Sequence, residues 1–340
     1  MSFRRSSKGM PKLVRISLGT AMNIGLLTGK LDAPPTTAYL MTYRQRKCSA
    51  NCRFCSQAKG SRGRADMLSR ISWPVFPLRE VLDGIQSSDG GNASKRVCIQ
   101  ALNYPEVFDH VEFLIKAIEN RTEIPISVSC QPLVKDNIRR IREAGAERIG
   151  IPLDAATRRL FEKIKGASAG GPYTWQGQLG LLEDAVNIFG RGMVSTHLIV
   201  GLGETEKEMI QIIQECVDMD VFPALFAFTP IFGTQLERES QPPIDVYRRV
   251  QVARSLILRK ATTVSKMHFT QQGTLVDFGA DKKTLAEIVR SGEPFRTAGC
   301  PDCNRPYYNE KPSGPIYNFP RKLARAELTE IEAQLGLNEA

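Results

Sequence analysis

Three closely spaced cysteines are the residues of this sequence best suited to chemistry. Cys48, Cys52 and Cys55 have the spacing Cys-x3-Cys-x2-Cys and follow an apolar run at residues 38–43. Three thiolates on one tight loop can hold three irons of a four-iron cluster, which leaves the fourth iron open to another ligand. The alternative is part of a zinc site, but zinc sites usually combine four ligands as two Cys-x2-Cys pairs. The spacing therefore predicts a [4Fe-4S] cluster with one open iron.

The elements that must position this loop alternate between strands and helices. Short runs of β-branched and apolar residues predict strands at 37–43, 96–100, 125–130, 148–153, 193–200, 223–229 and 263–269, with a fainter one at 275–278. Helical periodicity predicts helices at 107–120, 134–144, 155–164, 174–189, 204–219, 244–259 and 282–290. Continuous apolar strands alternating with helices indicate a parallel sheet. We therefore predict an α/β fold, a partial or complete (β/α)8 TIM-type barrel.

The two ends of the chain differ from this alternation. Residues 10–30 have an amphipathic pattern that predicts a helix, ended by prolines at 34 and 35. Residues 292–321 show no periodicity, and a final helix is predicted at 322–335; so long an irregular segment is more often a functional cover than a linker. The predicted domains are a basic N-terminal extension with a helix (1–36), the barrel (37–291), and an irregular cysteine-containing C-terminal cover with a final helix (292–340).

The C-terminal ends of the strands are where barrels of this kind carry their chemistry. In or after the predicted strands stand the cysteine loop, Cys98, Cys130, Asp154, residues 201–205 and Thr229. We expect these polar and sulfur-containing residues to collect on one rim. Two simpler interpretations stay open, because an Asp at a strand end is more often the N-cap of the next helix and a buried Cys is often a small hydrophobic residue.

Bulk composition excludes several classes of protein. The 340 residues are 42% hydrophobic and 24% charged, which is enough for one large or two medium domains. No apolar run approaches ~18 residues, so no membrane span is expected, and no secretory signal is evident at the start. Eight cysteines without such a signal favour metal or catalytic use over disulfides. We expect a cytoplasmic protein.

Positive charge is concentrated at the start of the chain. The formal net charge is +10, and residues 1–60 contain eleven Lys or Arg against one acidic residue, Asp32. Such a region could attract an acidic protein, a nucleic acid or an anionic cofactor, or it could be a solvated basic arm. Residues 1–30 lack the aromatic platforms typical of nucleic-acid binding, which disfavours a nucleic-acid partner.

The cysteine triplet and the strand ends together resemble the radical S-adenosylmethionine (SAM) superfamily. The resemblance is closest to its biotin synthase-like branch, over roughly residues 37–280. It implies that SAM binds the open iron and that no catalytic side chain is needed beyond the cluster ligands. It also implies that Phe54 contacts the adenine through its backbone and that Asp154 holds the ribose hydroxyls. The strand-end motif that contains Gly201, Gly203 and Glu204 would back the adenine.

A second cluster is implied by the same resemblance. Cys98 and Cys130 correspond to cysteines that ligate the sulfur-donating cluster of biotin synthases, and the tail adds Cys300 and Cys303 as a Cys-x2-Cys pair. Four thiolates would fully ligate a second [4Fe-4S] cluster. The alternatives are simple packing for Cys98 and an intermolecular zinc clamp for the tail pair. Cys216 lies within a predicted helix and is expected to pack.

Several positions depart from biotin synthase itself. Ser195 stands where a third auxiliary cysteine is expected, and residues 264–267 lack an expected Arg ligand. Pro152 replaces an Asn that the family uses for substrate and SAM, and residues 101–103 replace a Gly-Gly-Glu motif. These departures argue against biotin synthase as the specific activity.

The tail and the segment before the cluster loop resemble one component of the archaeal-type two-protein lipoyl synthase, on residues 299–310 and 36–41. That resemblance implies sulfur insertion at an unactivated C–H bond of an octanoyl group on a lipoyl carrier protein. The implied partners are the acidic octanoylated carrier, a second radical SAM subunit and a low-potential electron donor. An acidic carrier would suit the basic start of the chain.

Three alternatives to this function remain from the sequence. They are biotin synthase, a radical SAM reaction without sulfur insertion, and a non-catalytic iron–sulfur or zinc protein that binds nucleic acid. Histidine is scarce, with only His110, His197 and His268. This scarcity fits a reaction at a methylene group, which offers no acid–base handle. His197 is expected to pack within the barrel or to face its interior.

Overall fold

The structure is a computed structural model that describes residues 10–88 and 93–337. Arg4, Arg5 and Lys8 of the predicted basic arm lie outside the described residues, as does the end of the predicted C-terminal cover.

Strands and helices alternate through most of the described chain. The strands are β1 (Leu13–Ile16), β2 (Thr37–Met41), β3 (Met67–Leu68), β4 (Ile71–Ser72), β5 (Val75–Pro77), β6 (Arg96–Gln100), β7 (Ile126–Ser129), β8 (Arg148–Gly150), β9 (Val194–Val200), β10 (Phe222–Ala227), β11 (His268–Phe269) and β12 (Leu275–Asp277). The helices are α1 (Leu18–Asn23), α2 (Leu78–Ser87), α3 (Val107–Glu119), α4 (Lys135–Glu143), α5 (Arg158–Ile164), α6 (Trp175–Phe189), α7 (Glu206–Asp218), α8 (Ile244–Leu258), α9 (Lys282–Ser291) and α10 (Arg325–Gln334). Within the described ranges, no helix combines the length and apolar character needed to cross a bilayer.

One eight-stranded sheet forms the centre of the fold, in the order β10-β9-β8-β7-β6-β2-β1-β5. Strands β2 and β6 to β10 are parallel, and β1 runs antiparallel to both β2 and β5. Strands β2 and β7 are buried along their whole length, as expected when helices cover the outer face of a parallel sheet. The predicted α/β fold is confirmed as a partial barrel with an open side.

The prediction of one helix over residues 10–30 is wrong. This segment forms β1, which joins the main sheet, and then the short helix α1. The β-branched residues Val14 and Ile16 favour a strand. Ser17 then starts α1, because its side chain accepts the Thr20 N–H at 3.2 Å. This part of the predicted N-terminal extension therefore belongs to the barrel sheet.

The predicted seventh and eighth barrel strands are also wrong. Residues 263–269 form a 3-10 turn followed by β11, which pairs with β12 as a separate antiparallel sheet. Only residues 270–274 connect β11 to β12. So short a connection permits a hairpin, whereas parallel neighbours need a crossover of about a dozen residues or more. The barrel is therefore left open beyond β10.

The irregular C-terminal tail covers this open side. The Arg305 N–H donates to the Tyr39 hydroxyl of β2 at 3.0 Å, and the Arg305 guanidinium lies 3.8 Å from the ring centre of Phe226 on β10. Four strands separate β2 from β10 in the sheet order. The tail therefore bridges the opening of the barrel.

The tail also reaches the end of the barrel where the strands begin. Asn304 Oδ1 accepts the Thr36 N–H at 3.0 Å, and Lys95 forms an ion pair with Asp302 at 3.2 Å. Thr36 and Lys95 immediately precede β2 and β6. The Cys-x2-Cys pair of the tail is thus brought toward the amino-terminal end of the strands, away from the cysteine loop that follows β2.

Candidate functional site

The cysteine loop is tied to two neighbouring segments of the barrel. Asn103, which follows β6, accepts the Ser49 N–H at 2.7 Å, and its own N–H donates to Cys48 Sγ at 3.2 Å. The Arg53 N–H donates to the carbonyl of Ile164 at the end of α5, at 2.9 Å. Backbone bonds from separate parts of the barrel thus fix the loop, and one of them stabilises negative charge on the Cys48 sulfur.

Lys47 anchors the segment that follows the cysteines. Its ammonium donates to the carbonyls of Ser56, Ser61 and Gly63 at 2.9, 2.7 and 2.6 Å, which uses all three donors of a lysine. Burial lowers the pKa of Lys47, and the nearby Cys55 opposes this. One of the positive charges near the cluster loop therefore holds the loop itself and is not free to attract a partner.

One cavity of about 280 Å³ lies inside the barrel. Seven of the eight cysteines border it: Cys48, Cys52, Cys55, Cys98, Cys130, Cys300 and Cys303. The eighth, Cys216, is fully buried in α7 and packs there, as predicted. The structure therefore brings every cysteine predicted as a metal ligand to the lining of one cavity.

The thiols of the loop suit an iron–sulfur cluster. Burial raises the pKa of Cys52 and raises that of Cys55 to about 12, and neighbouring thiols and Asp154 add to both shifts. Thiolates in such surroundings need a cationic centre beside them. Among the described residues, no three His, Cys, Asp or Glu side chains are arranged to hold a single metal ion. A cluster would bind each of the three thiolates through a different iron.

Asp154 enters the cavity at the end of β8 and is held by a buried lysine. Its backbone adopts a φ of 67°, a left-handed conformation that Asp tolerates better than most residues. Lys165 Nζ donates to Asp154 Oδ2 at 2.6 Å and to the Pro152 carbonyl at 2.7 Å. The N-cap interpretation of Asp154 is wrong, because Thr157 caps α5. Asp154 is thus free to face a ligand through its second carboxylate oxygen.

The glycine motif after β9 does not border the cavity. Gly201 and Gly203 have φ values of 103° and 107°, which favour glycine. The Glu204 carboxylate accepts the N–H groups of Gly201 and Leu202 at 2.6 and 3.0 Å, so it holds the turn. Burial raises the pKa of Glu204. The role of these residues toward SAM stays a prediction, and it would be indirect.

Phe54 and Ile199 present an apolar surface next to the cysteine loop. Both border the cavity and pack against a buried cluster that includes Leu202 and Phe228. Such a surface can cover one face of a flat ring. Ile199 lies two residues before the glycine motif. The motif therefore orients the end of β9, where Ile199, and not the glycines, faces the cavity.

A second group of thiols lies toward the start of the strands. Cys98 is within electrostatic reach of Cys300 and Cys303, and Ser127 lies beside the thiols of both Cys98 and Cys300. Gln100 Nε2 also donates to Cys98 Sγ at 3.0 Å. The tail pair therefore meets one barrel cysteine inside the cavity. The expectation that all these residues collect on one rim does not hold for Cys98, which lies within a strand and not at its end.

Cys130 is the exception among the four cysteines predicted for a second cluster. Burial alone raises its pKa, with no contribution from any other thiol of the described chain. It borders the cavity but lies outside the group formed by Cys98, Cys300 and Cys303.

Two charged residues of the cavity were missed by the sequence analysis. Arg305 borders the cavity from the tail, and Lys165 lies buried behind Asp154. His197 also borders the cavity, and burial together with the charges of Arg305 and Lys165 lowers its pKa to about 3. Only weak features of the sequence point to these two residues: Lys165 stands at the end of a predicted helix, and Arg305 follows Cys303 by two residues.

The sequence is similar to a known superfamily and to several of its members. A sequence profile of the radical SAM superfamily matches residues 42–216. A protein of Magnetococcus marinus named biotin synthase is 24% identical over 168 residues, 48% of each chain. A biotin synthase of Streptomyces coelicolor is 28% identical over 209 residues, 59% of this chain and 47% of that protein. These matches span about half the length of the two relatives.

A solved structure shares the fold. The X-ray structure of the FeFe-hydrogenase maturase HydG from Carboxydothermus hydrogenoformans matches with a TM-score of 0.52 and 15% identity. The match covers 88% of this chain and 66% of that chain. At this identity the likeness concerns the fold alone.

Proposed function

This chain belongs to the radical SAM superfamily, and we propose that it inserts sulfur at an unactivated C–H bond of an octanoyl group on a lipoyl carrier protein. The observation that carries the proposal is the single cavity bordered by seven cysteines in more than one group. A radical SAM reaction needs only the first group. A second group opening on the same cavity is expected when the reaction also needs a sulfur source, here a second iron–sulfur cluster consumed as a substrate.

The residues around the first group have distinct parts in this reaction. Cys48, Cys52 and Cys55 would hold a [4Fe-4S] cluster, with SAM against Phe54 and Asp154. When bound, cluster and SAM supply the one-electron chemistry that removes hydrogen from an unactivated carbon. The protein's own contribution is to position and enclose the reactants. No general acid or base is required, because a methylene group has no acidic proton.

An acyl chain suits the walls of the cavity. Met41, Leu102, Phe226 and Ile231 all border it. Next to Ile231, the Phe232 side chain is 87% exposed, which offers an apolar contact to a protein that delivers the chain. The tail resemblance selects a lipoyl carrier as that protein. A second radical SAM subunit and a low-potential electron donor complete the proposed partners.

The free thiols support a reducing compartment. All eight cysteines are free, and seven of them border the cavity. Thiols persist in reducing compartments such as the cytoplasm and tend to become disulfides elsewhere. We therefore propose a cytoplasmic site of action.

Biotin-type sulfur insertion is the second candidate, favoured by the names of the two curated relatives. It would use the same two groups of thiols with dethiobiotin as the substrate. Ser195 and Pro152, which replace residues expected of biotin synthase, count against it. A radical SAM reaction without sulfur insertion would leave the second group of thiols without a purpose.

Mass spectrometry of the product tests the proposal. The chain is loaded anaerobically with iron and sulfide and supplied with SAM, a reductant and a peptide that carries octanoyl-lysine with a deuterated acyl chain. We expect sulfur in the peptide and deuterium in the 5′-deoxyadenosine formed. A parallel reaction contains dethiobiotin. Cleavage of SAM without sulfur in either product, with and without a candidate partner subunit, would overturn the proposal; sulfur in dethiobiotin alone would select the second candidate.

A further inference from the structure

Three side chains on adjacent parallel strands form a row across the sheet. Tyr39 of β2 is in register with Cys98 of β6, and Cys98 is in register with Ser127 of β7. Side chains at one register level of a sheet point to the same face. All three border the cavity. The row is therefore a fixed platform inside the barrel.

Both ends of this row contact a cysteine of the tail. The Tyr39 hydroxyl oxygen lies 3.2 Å from Cys303 Sγ and accepts the Arg305 N–H at 3.0 Å. Because that oxygen already accepts, its own proton can be donated to the Cys303 sulfur. At the other end, Ser127 lies beside the thiols of Cys98 and Cys300, close enough to lower the pKa of both. The row thus gathers Cys98, Cys300 and Cys303 into one group.

The surroundings of this group favour a bound metal centre with negative charge. Cys98, Cys300 and Cys303 lie within electrostatic reach of one another, so three bare thiolates in this cavity would repel one another. Arg96 and Arg148 lie within electrostatic reach of Cys300, and both also form an ion pair with Glu147, at 2.5 and 3.4 Å. Arg96 is buried, and its Nε and Nη1 have no hydrogen-bond partner within residues 10–88 and 93–337. Buried donors without partners are costly, and a thiolate-ligated cluster would offset that cost.

Cys130 is excluded from the row by its position along the chain. It follows Ser127 by three residues, and an odd separation along an extended chain points two side chains to opposite faces. The Cys130 N–H donates to the Gly150 carbonyl at 3.0 Å, which continues the pairing of β7 with β8 and keeps the backbone extended. Cys130 therefore borders the cavity from outside the row.

We propose that the second iron–sulfur site is a three-cysteine site formed by Cys98, Cys300 and Cys303, and that Cys130 is not a ligand. This inference deepens the proposed function and rests on it. One ligand comes from the sheet and two come from the tail, so the site forms only when the tail is docked. Three thiolates also leave one iron of a four-iron cluster without a cysteine ligand.

Iron binding in a chain that lacks the first site tests this assignment. The triple variant C48A/C52A/C55A serves as the background, so that any cluster formed belongs to the second site. After anaerobic loading with iron and sulfide, we expect about four irons per chain and a four-iron Mössbauer signature. Adding Cys130→Ala or the buried control Cys216→Ala leaves this content unchanged. Adding Cys98→Ala, Cys300→Ala or Cys303→Ala reduces it at least severalfold.

The outcomes separate this inference from the function on which it rests. Loss of iron with Cys130→Ala, or its retention with Cys98→Ala or Cys300→Ala, overturns the three-cysteine site and leaves sulfur insertion standing. A background that binds no iron removes the sulfur source and overturns both. Circular dichroism melting of each variant identifies misfolding, and the serine versions of the same substitutions replace any alanine variant that does not fold.

Discussion

The Asp154 carboxylate has a partner that no spacing rule would indicate. Lys165 is fully buried, donates to Asp154 and the Pro152 carbonyl, and lies over the rings of Phe161 and Tyr173. A lysine at the end of a helix is usually solvated, so its sequence position predicts exposure. The cysteine triplet, by contrast, could be interpreted from sequence, because three thiols at that spacing have few other uses. Cluster ligands can thus be recognised from their local spacing in the sequence, whereas the partner of a buried charge depends on the fold.

We expect replacement of Lys165 to destabilise the folded chain. Lys165→Met leaves the Asp154 carboxylate buried without its cation, which should lower the free energy of unfolding by about 3–5 kcal/mol. Chemical denaturation of the metal-free chain measures this. Lys163→Met, at an exposed position of the same helix, is the matched control. Addition of Asp154→Asn should recover part of the loss, and equal stabilities of the Lys163 and Lys165 variants would contradict the prediction.

His197 makes a prediction for the pH dependence of stability. Its pKa is lowered to about 3 in the folded chain by burial and by the Arg305 and Lys165 charges, against about 6.5 when unfolded. The unfolded state therefore binds the extra proton first, and stability is lost as pH falls below about 6.5. From pH 7 to pH 5 the loss should be up to about 2 kcal/mol.

Urea denaturation at pH 5, 6 and 7 measures this slope. His197→Gln should reduce the slope, whereas His268→Gln, at an exposed position, should leave it unchanged. An unaltered slope in the His197 variant would show that the neutral form of this ring is not favoured by folding.

At the scale of elements, the tail is fastened by α8. Arg248, which is only 2% exposed, donates to the carbonyls of Ile316 and Tyr317 at 2.6 and 2.7 Å and lies over the rings of Phe295 and Phe319. A charged donor can hold an irregular segment that has no strand or helix ladder of its own. The tail is therefore an ordered part of the barrel wall.

Loss of this anchor should loosen the tail. Arg248→Met leaves the Ile316 carbonyl without its donor and removes one of the two donors of the Tyr317 carbonyl, which keeps Gln251 at 2.9 Å; the cost should be about 2–3 kcal/mol. Hydrogen exchange should accelerate within residues 296–320 and stay unchanged in β6 to β9. Arg259→Met, at the exposed end of the same helix, is the control. Uniform acceleration across the sheet would mean that the tail does not unfold by itself.

The elements also show where sequence patterns stop being informative. Six parallel strands and the helices from α3 onward were predicted, because the buried strands are rich in β-branched and apolar residues and because these helices keep their periodicity; α2 was not predicted. β1 and the β11–β12 hairpin were assigned wrongly. Their residues are compatible with several structures, and the partner strand decides between them. Val14 and Ile16, for example, fit a helical face as well as a strand until β2 and β5 are in place.

At the scale of the whole molecule, the partial barrel is completed by chain that does not form barrel strands. The tail crosses from Thr36, at the start of β2, to Thr229, beyond the end of β10, where the Thr229 hydroxyl donates to the Asn309 carbonyl at 3.1 Å. Strands supply the walls and the cysteine loop, and the tail supplies Cys300 and Cys303. The two groups of thiols are consequently held by different contacts, although they share one cavity.

This separation predicts that SAM cleavage and sulfur insertion can be uncoupled. The described hydrogen bonds of the Cys48–Cys55 loop run to Asn103, Ile164 and other barrel segments and to no tail residue. Sites without shared partners perturb each other by about 0.5 kcal/mol or less, roughly twofold in rate. C300A/C303A should therefore cleave SAM within about twofold of the parent rate, by that conversion, while sulfur insertion falls below detection.

Chromatography of 5′-deoxyadenosine and mass analysis of the octanoyl peptide, from one reaction, measure both. Loss of SAM cleavage in this variant would mean that the tail supports the first site, and the division of the cavity into two independent groups would then be wrong.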